Sequence, residues 1–352
     1  MSTDTAGWRQ SLQSRQLSSV NELKGVAILL VIAYHTQLAV GWVNWSQGQI
    51  GVDIFLVISG WLIGRSLTPE LTLRDFFWRR IWRIVPAYWI VLIGLCLFKC
   101  QVLHGAFDLP GTVAHLFGLQ IFGPDEWFFG INPSFWFISL LLLTYPLAFF
   151  LRAERSPAKL LSVGLALGVA SCWLGMLVEH HAFVVNVPAR LISFCAGLAI
   201  AAALRDNVDF RKDRGMFFAL LALCGYMEMG GVPLLRPCIY AFALMAVYLA
   251  LRGSIAGQPR RSFPYGPLAF LGFISYELFL LHQPLLRMAL HAFPSLTQSD
   301  AGPLISALIG IVVSIALAWV SSSHDRDDVS PEEKARDAIA RRHCLNLNRL
   351  CI

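Results

Sequence analysis

Apolar stretches of membrane-crossing length alternate with short polar segments along this chain from residue 24 to residue 320. A helix crosses a bilayer with about 20 apolar residues, so the pattern predicts an all-α polytopic membrane protein of about ten transmembrane helices. We place these spans at 24–43, 50–66, 84–103, 133–151, 159–178, 184–204, 216–235, 236–252, 267–290 and 304–320. The apolar stretch 112–122 is too short to cross and predicts a re-entrant or interfacial helix.

Composition supports this fold class. Of the 352 residues, 56% are hydrophobic and 14% are charged, with a mean hydropathy of +0.60, whereas soluble domains hold about 25% charged residues. The predicted spans fill a transmembrane domain at 21–320, which leaves no room for an appended soluble catalytic domain. Residues 1–20 form a polar cytoplasmic segment without a signal-peptide pattern. Residues 321–352 form a cytoplasmic tail, in which the run 330–333 predicts the start of a short helix.

Positive charge is concentrated on one side of the predicted spans. With the N-terminus inside, 24 of the 28 lysines and arginines fall in cytoplasmic segments or at their edges. This bias predicts that both termini are cytoplasmic, and it accounts for the pI of about 9.0 without a nucleic-acid partner. The eight cysteines show no CxxC pair or Cys/His ligand spacing, so we expect neither a disulfide framework nor a bound metal.

Two ionisable residues of the first predicted span share one face of its helix. Lys24 begins the span and His35 follows eleven residues later, which is three turns plus about 20° and about 16 Å along the axis. With Lys24 at one membrane surface, His35 lies near the bilayer midplane. An ionisable group at that depth is costly and indicates a functional site. The alternative is a neutral histidine that hydrogen bonds a neighbouring helix for packing alone.

The second predicted span begins with a carboxylate and carries a small-residue pair near its centre. Asp53 lies at the outer end of the span, where it suits an acid/base partner or a contact to an acceptor sugar. Capping of the helix N-terminus explains this aspartate equally well. Ser59 and Gly60 allow another backbone to approach closely.

Three arginines lie close together at the predicted cytoplasmic start of the third span. Arg79, Arg80 and Arg83 are spaced three and four residues apart, so their side chains project together. Guanidinium groups match phosphate oxygens in a bidentate way. The alternative is ordinary positive-inside anchoring, accompanied by the aromatic belt of Trp78 and Trp82.

The ninth predicted span holds two ionisable residues within an apolar run. Placing the ionisable side chains of Glu277 and His282 within the membrane costs free energy unless they face a cavity. Pro284 predicts a break or kink at the residue that precedes it.

Together these motifs resemble the integral-membrane acyltransferase family 3, whose members O-acylate bacterial surface and exported polysaccharides and some small molecules. The resemblance extends from residue 20 to about residue 320. The matching residues are Lys24, His35, Gly51, Asp53, Phe55, Ser59, Gly60, Trp61, Leu62, Phe77, Arg79, Arg80, Arg83, Ile84, Pro86, Tyr88, Ser275, Tyr276, Leu280, His282 and Pro284.

The chain departs from the family pattern at three points. Lys24 stands where arginine is more common, and the fourth span lacks the glutamate that follows Trp-Ser-Leu in many members. The end of the chain also lacks the common Glu-Arg-Pro sequence. We therefore assign no role to that missing glutamate or to the tail.

The resemblance implies an enzyme of the bacterial cytoplasmic membrane that uses an acyl-CoA donor, most commonly acetyl-CoA, and no permanently bound cofactor. The expected acceptor is a polysaccharide or a lipid-linked glycan. We also expect membrane lipid to surround the protein. In this interpretation Lys24 and the three arginines hold the CoA phosphates. His35 deprotonates an acceptor hydroxyl or carries the acyl group. The residues implied to bind the acceptor, tune His35 or support the site are Asp53, His282, Ser59, Tyr88 and Glu277.

Two alternatives stay open at the level of sequence. One is transfer of a succinyl or longer acyl group to a glycan or a small molecule. The other is a polytopic sugar or ion transporter, because such proteins also bury His and Asp in their spans. The sequence shows neither repeated halves nor paired broken helices, which disfavours a transporter.

Overall fold

A computed structural model describes residues 4–41, 50–68, 70–101, 108–177, 188–205, 266–292 and 302–327. These residues form helices joined by short turns, with no β-strand among them. The α-helices are α1 (Asp4–Val40), α2 (Ile50–Ser66), α3 (Leu73–Gln101), α4 (Leu109–Leu116), α5 (Asp125–Phe129), α6 (Trp136–Phe150), α7 (Pro157–Leu177), α8 (Leu191–Arg205), α9 (Pro267–Phe273), α10 (Ser275–Ala292) and α11 (Gly302–Asp327).

Several of these helices are long and apolar enough to cross a membrane. Within the described residues four segments qualify, and the bent pair α9–α10 makes a fifth if it is one span. The four segments are Val20–Val40, Leu73–Gln101, Pro133–Ala153 and Gly302–Ser322. The helical, multi-pass class is therefore confirmed, whereas the number of ten spans and the orientation of the termini stay predictions. The predicted spans 216–235 and 236–252 and the predicted tail helix lie outside the described residues.

Helix α1 runs without interruption through both Lys24 and His35. It packs against α2, α9 and α10, and its inner face contributes Ile28, Val31 and Ile32 to the main hydrophobic core. One regular helix therefore fixes the separation of the lysine and the histidine at about 16 Å along its axis.

Helices α2 and α8 approach each other at two glycines. A Cβ atom on Gly60 would collide with the carbonyl oxygen of Phe194, and one on Gly197 would collide with that of Val57. The close backbone approach that the sequence predicts at Gly60 is confirmed, and α8 is its partner.

Helix α3 begins about three turns earlier than the predicted span 84–103. Thr72 caps its N-terminus: the hydroxyl accepts from the backbone N–H of Asp75 at 3.2 Å and donates to the Asp75 carboxylate at 2.8 Å. This reciprocal cap sets the helix start at Leu73. The arginine cluster consequently belongs to the same continuous helix as the apolar span.

The predicted span 267–290 is broken rather than straight. Helices α9 and α10 meet at an angle of 83° around Ile274, where the Ser275 hydroxyl donates to the carbonyl oxygen of Gly272 at 2.9 Å. Pro284 does not break the helix, because α10 continues through this proline, and a kink at that point stays a prediction. The chain turns ten residues earlier, at Ile274, and at the nearby Gly272 the α9 backbone lies against Asn21 of α1.

Candidate active site

A cavity of about 410 Å³ brings together residues from seven of the described helices around the N-terminal part of α3. Among its polar lining residues are Lys24 of α1, Ser59 of α2, Arg80 and Arg83 of α3, and Tyr276 and Glu277 of α10. Five of these six are residues that the sequence motifs single out as site candidates. Motifs more than 200 positions apart in the chain thus line one space.

Cations dominate the electrostatics of this cavity. Lys24, Arg80 and Arg83 face one carboxylate, that of Glu277. Arg80 is held in place, because its Nη2 donates to the Ser66 hydroxyl at 2.6 Å. Such a set of donors can receive the oxygens of a phosphate group or a carboxylate.

Arg79, the remaining member of the cluster, is solvent-exposed and does not line the cavity. The exposed rings of Trp78 and Trp82 lie beside it on the same helix, with an edge-to-face contact between them. At Arg79 the arrangement fits an interfacial anchor, whereas at Arg80 and Arg83 it fits a ligand site.

His35 and His282 form a pair between α1 and α10. Nε2 of His282 lies 3.2 Å from Nδ1 of His35, and their ring centroids are 5.0 Å apart. His282 is buried, with 1% of its surface exposed. The two histidines come from the first and ninth predicted spans, so the structure joins two motifs that are 247 residues apart.

Backbone carbonyls fix which nitrogen of each neutral imidazole carries the proton. Nδ1 of His282 lies 2.7 Å from the carbonyl oxygen of Phe279, and Nδ1 of His35 lies 3.0 Å from that of Val31. A carbonyl only accepts, so both Nδ1 atoms are protonated. The His35 N–H therefore also points to the lone pair on Nε2 of His282. Nε2 of His35 keeps its own lone pair, and no hydrogen bond from the described residues engages it.

Asp53 is held in a buried ion pair. Its carboxylate accepts from Nη1 of Arg190 and, at 3.0 Å, from the hydroxyl of Ser193. Asp53 is fully buried and Arg190 is 4% exposed, and the guanidinium lies 5.5 Å from the ring centroid of Trp136. Neither Asp53 nor Arg190 lines the cation-rich cavity, so the structure gives Asp53 a place between α2 and α8.

Arg190 is a residue that the sequence motifs miss. It precedes α8 in a short 3₁₀ turn, Pro188–Arg190, 137 residues from its partner. The one sequence signal is an isolated arginine within a predicted apolar span, where a charge needs a partner.

Tyr88 lies away from both the cavity and the histidine pair. Its buried hydroxyl donates to the carbonyl oxygen of His115 at 2.8 Å, and its ring packs edge-on against Phe135. It thereby anchors the short helix α4, whose His115 reaches the carbonyl oxygen of Trp127 at 2.8 Å through Nε2. Burial lowers the pKa of His115 to about 4, which keeps this imidazole neutral.

No group of three or more His, Cys, Asp or Glu residues within the described ranges is arranged to hold a metal ion. The site offers a pocket lined by three cations and, about 16 Å along α1, an imidazole with an available lone pair. This combination can bind a polyanion and perform base or nucleophile chemistry at Nε2.

The chain is similar in sequence to acyltransferases of three bacteria, of which two are named as putative. The chain is 25% identical to a peptidoglycan O-acetyltransferase of Listeria monocytogenes over 78% of its length and 50% of that protein. It is 24% identical to a putative peptidoglycan O-acetyltransferase of Bacillus subtilis, over 80% of the chain and 50% of that protein. A putative membrane-bound transacylase of Komagataeibacter xylinus is 26% identical, over 79% of the chain and 76% of the relative.

The chain thus spans about half the length of the first two relatives. No solved structure matches it. A family model described as an acyltransferase domain matches residues 17–323, which include the cavity, the histidine pair and the Asp53–Arg190 pair. By this match over most of its length, the chain belongs to the acyltransferase family 3.

Proposed function

We propose that this protein is a membrane O-acyltransferase that moves an acetyl group from cytoplasmic acetyl-CoA to a hydroxyl of a polysaccharide or its lipid-linked precursor. Its family and the names of its relatives support O-acetyl transfer to a glycan. The bias of lysine and arginine supports a cytoplasmic position for the cation-rich cavity, in a bacterial cytoplasmic membrane.

The observation that carries this proposal is the available lone pair on Nε2 of His35. The Val31 carbonyl and His282 together orient the ring through its Nδ1–H. A neutral, oriented imidazole is the group that acyl transfer needs as a base or as a nucleophile. His282 acts through His35 and is a positioning residue in this scheme.

The cation-rich cavity is the proposed donor site. Arg80 and Arg83 offer guanidinium groups to the CoA phosphates, and Lys24 adds an ammonium at the start of the helix that carries His35. Phosphate groups bound at this end leave the thioester arm to extend along α1 toward the histidine pair. Glu277, the cavity carboxylate, limits its net positive charge.

In the base route, Nε2 of His35 takes the proton of the acceptor hydroxyl. The resulting oxygen attacks the thioester carbonyl, an ester C–O bond forms and the C–S bond breaks. The imidazolium then returns its proton to the departing CoA thiolate, and the products are the acetyl ester and free CoA.

In the carrier route, Nε2 of His35 attacks the thioester carbonyl and displaces the CoA thiolate. The acceptor hydroxyl then attacks the acetyl-imidazolium, the C–N bond breaks and neutral His35 is restored. The hydroxyl proton neutralises the thiolate, so the net reaction is the same. In this route His35 holds the acyl group after CoA is released, so the donor and the acceptor need not be bound at the same time.

Purified protein incubated with radiolabelled acetyl-CoA and a bacterial glycan fraction tests the proposal. We expect CoA release together with alkali-labile label on the glycan. A protein that moves the glycan or an ion across a vesicle membrane without releasing CoA would establish the transporter alternative. Rapid quenching without acceptor separates the two routes, because only the carrier route leaves label on His35. Parallel reactions with succinyl-CoA report the choice of acyl group.

A further inference from the structure

A second cavity, of about 530 Å³, lies where the C-terminal end of α3 meets α4 and α5. We call it the α3–α5 crevice. Its lining includes Cys96, Lys99, Cys100, Glu126, Trp127 and Phe129. Its volume is in the range of small-molecule sites, and the donor scheme does not use any of its residues.

The two cavities lie at opposite ends of one membrane-crossing helix. Arg80 lines the first cavity and Lys99 lines the crevice. Lys99 is 19 positions after Arg80, which corresponds to about 28 Å of helix and is close to the hydrocarbon thickness of about 30 Å. The crevice therefore belongs to the membrane face opposite the arginine cluster, with His35 at an intermediate depth.

The crevice combines aromatic rings with polar groups of both signs. Trp127 is half-buried and Phe129 is 39% exposed, so their faces are partly open to a ligand. The carboxylate of Glu126 is exposed and forms no hydrogen bond with other described residues. Lys99 donates to the carbonyl oxygen of Gly130 at 3.4 Å. Carboxylate acceptors and an ammonium donor around an aromatic surface suit a ligand with many hydroxyls and apolar C–H faces.

The segment that follows the crevice contacts the helix that carries His282. After Ile131, which lines the crevice, Asn132 donates from Nδ2 to the carbonyl oxygen of Leu280 at 3.4 Å. The Ser134 hydroxyl donates to the side-chain oxygen of Gln283. Leu280 and Gln283 lie on either side of His282 in α10, so Asn132 and Ser134 link the segment that follows the crevice to the helix that orients the reacting imidazole.

We propose that the α3–α5 crevice binds a sugar unit of the acceptor glycan on the membrane face opposite the donor cavity. This inference rests on the proposed function, because it assigns the acceptor of that reaction. Glu126 and Lys99 receive the hydroxyls of the sugar, and Trp127 packs against its ring. The acceptor hydroxyl then reaches toward His35 along the segment 130–134.

Steady-state kinetics with uncharged trisaccharides as soluble acceptors test this assignment. Cellotriose, maltotriose and N,N′,N″-triacetylchitotriose are supplied to purified protein with radiolabelled acetyl-CoA. For the sugar that is acetylated, Trp127→Ala and Glu126→Gln should each raise the acceptor KM about tenfold, the effect of one lost hydrogen bond to a charged group or a comparable contact. The KM for acetyl-CoA should be unchanged. The matched controls are Trp173→Ala, an exposed tryptophan of α7, and Asp125→Asn, which neighbours the crevice without lining it.

Thiol labelling tests the crevice without any acyl transfer. Cys96 and Cys100 line the crevice as free thiols, and peptide mass spectrometry measures their reaction with a membrane-impermeant maleimide. Added trisaccharide should slow labelling of Cys100 in the wild type and should protect it much less in Trp127→Ala.

The outcomes separate the two proposals. Protection of Cys100 in a protein that acetylates neither a trisaccharide nor the bacterial glycan fraction would contradict the proposed function and keep the sugar site. Acetyl transfer with wild-type acceptor KM in both crevice variants, and no sugar protection of Cys100, would overturn the crevice assignment and leave the proposed function in place.

Discussion

Removal of Arg190 should strongly destabilise the protein, because it leaves the Asp53 carboxylate buried without its counter-ion. Asp53 is 0% exposed and the Arg190 side chain is 5% exposed, so water reaches neither charge. Breaking a buried pair by deleting one partner costs about 3–5 kcal/mol, a large part of the total stability of about 5–15 kcal/mol for a folded protein. The Ser193 hydroxyl, at 3.0 Å, replaces only a small part of the lost interaction.

The assay is reversible unfolding of purified protein in mixed micelles, for the two single variants Asp53→Ala and Arg190→Ala and for a neutral double variant. We expect each single variant to lose about 3–5 kcal/mol. Asp53→Ala combined with Arg190→Ala removes both charges, so this double variant should lose much less than the sum of the two single effects. A loss below about 1 kcal/mol in Arg190→Ala, or additive losses in the double variant, would refute a buried and coupled pair.

The same variants distinguish two roles for Asp53. If this carboxylate acts by holding α2 against α8, the neutral double variant should recover acyl transfer together with stability. A double variant that is stable and inactive would instead give Asp53 a direct part in the reaction, which is the role that its motif predicts.

Three further predictions concern the donor cavity and its surroundings. Arg80→Ala and Arg83→Ala should weaken acetyl-CoA binding by about tenfold or more, whereas the exposed Arg79→Ala should have a smaller effect, as measured by isothermal titration. Acetyl-CoA affinity equal to the wild type in all three variants would exclude a phosphate-binding role for these arginines. Lys24→Arg should retain or raise transfer activity and Lys24→Ala should lower it, and an active alanine variant would leave Lys24 as an interfacial anchor. Gly197→Val should cost about 1–3 kcal/mol or more in unfolding assays, because its side chain meets the α2 backbone, and wild-type stability would contradict the close approach.

The sequence predicts best those features that depend on one helix. Apolar length predicts the helical membrane class, and helical periodicity places Lys24 and His35 on one continuous element, which the structure confirms. The arginine spacing predicts side chains that project together, and two of the three meet in the cavity. These are local properties, so the residue pattern is sufficient to recover them.

Features that depend on how distant helices meet are not recoverable in the same way. Asp53 and Arg190 pair across 137 residues, and no periodicity within either segment specifies the other. The bend at Ile274 lies beside a close contact between the Gly272 backbone and α1, while the more conspicuous signal, Pro284, lies within a continuous helix. The motif order predicts that His282 acts near His35, but only the packing of α1 on α10 gives the nitrogen-to-nitrogen contact.

The rate of acetyl transfer by His35→Ala tests the central claim most directly, with donor affinity measured on the same sample. Loss of a positioned base costs about 10²–10⁴-fold in rate, and loss of a carrier costs at least as much. We therefore predict transfer reduced by at least about 10²-fold, acetyl-CoA affinity equal to the wild type, and normal membrane insertion. The matched control is His291→Ala, which removes an exposed histidine from the last turn of α10 and should transfer at the wild-type rate. Substantial transfer by a folded His35→Ala protein would contradict the account, whichever of the two routes operates.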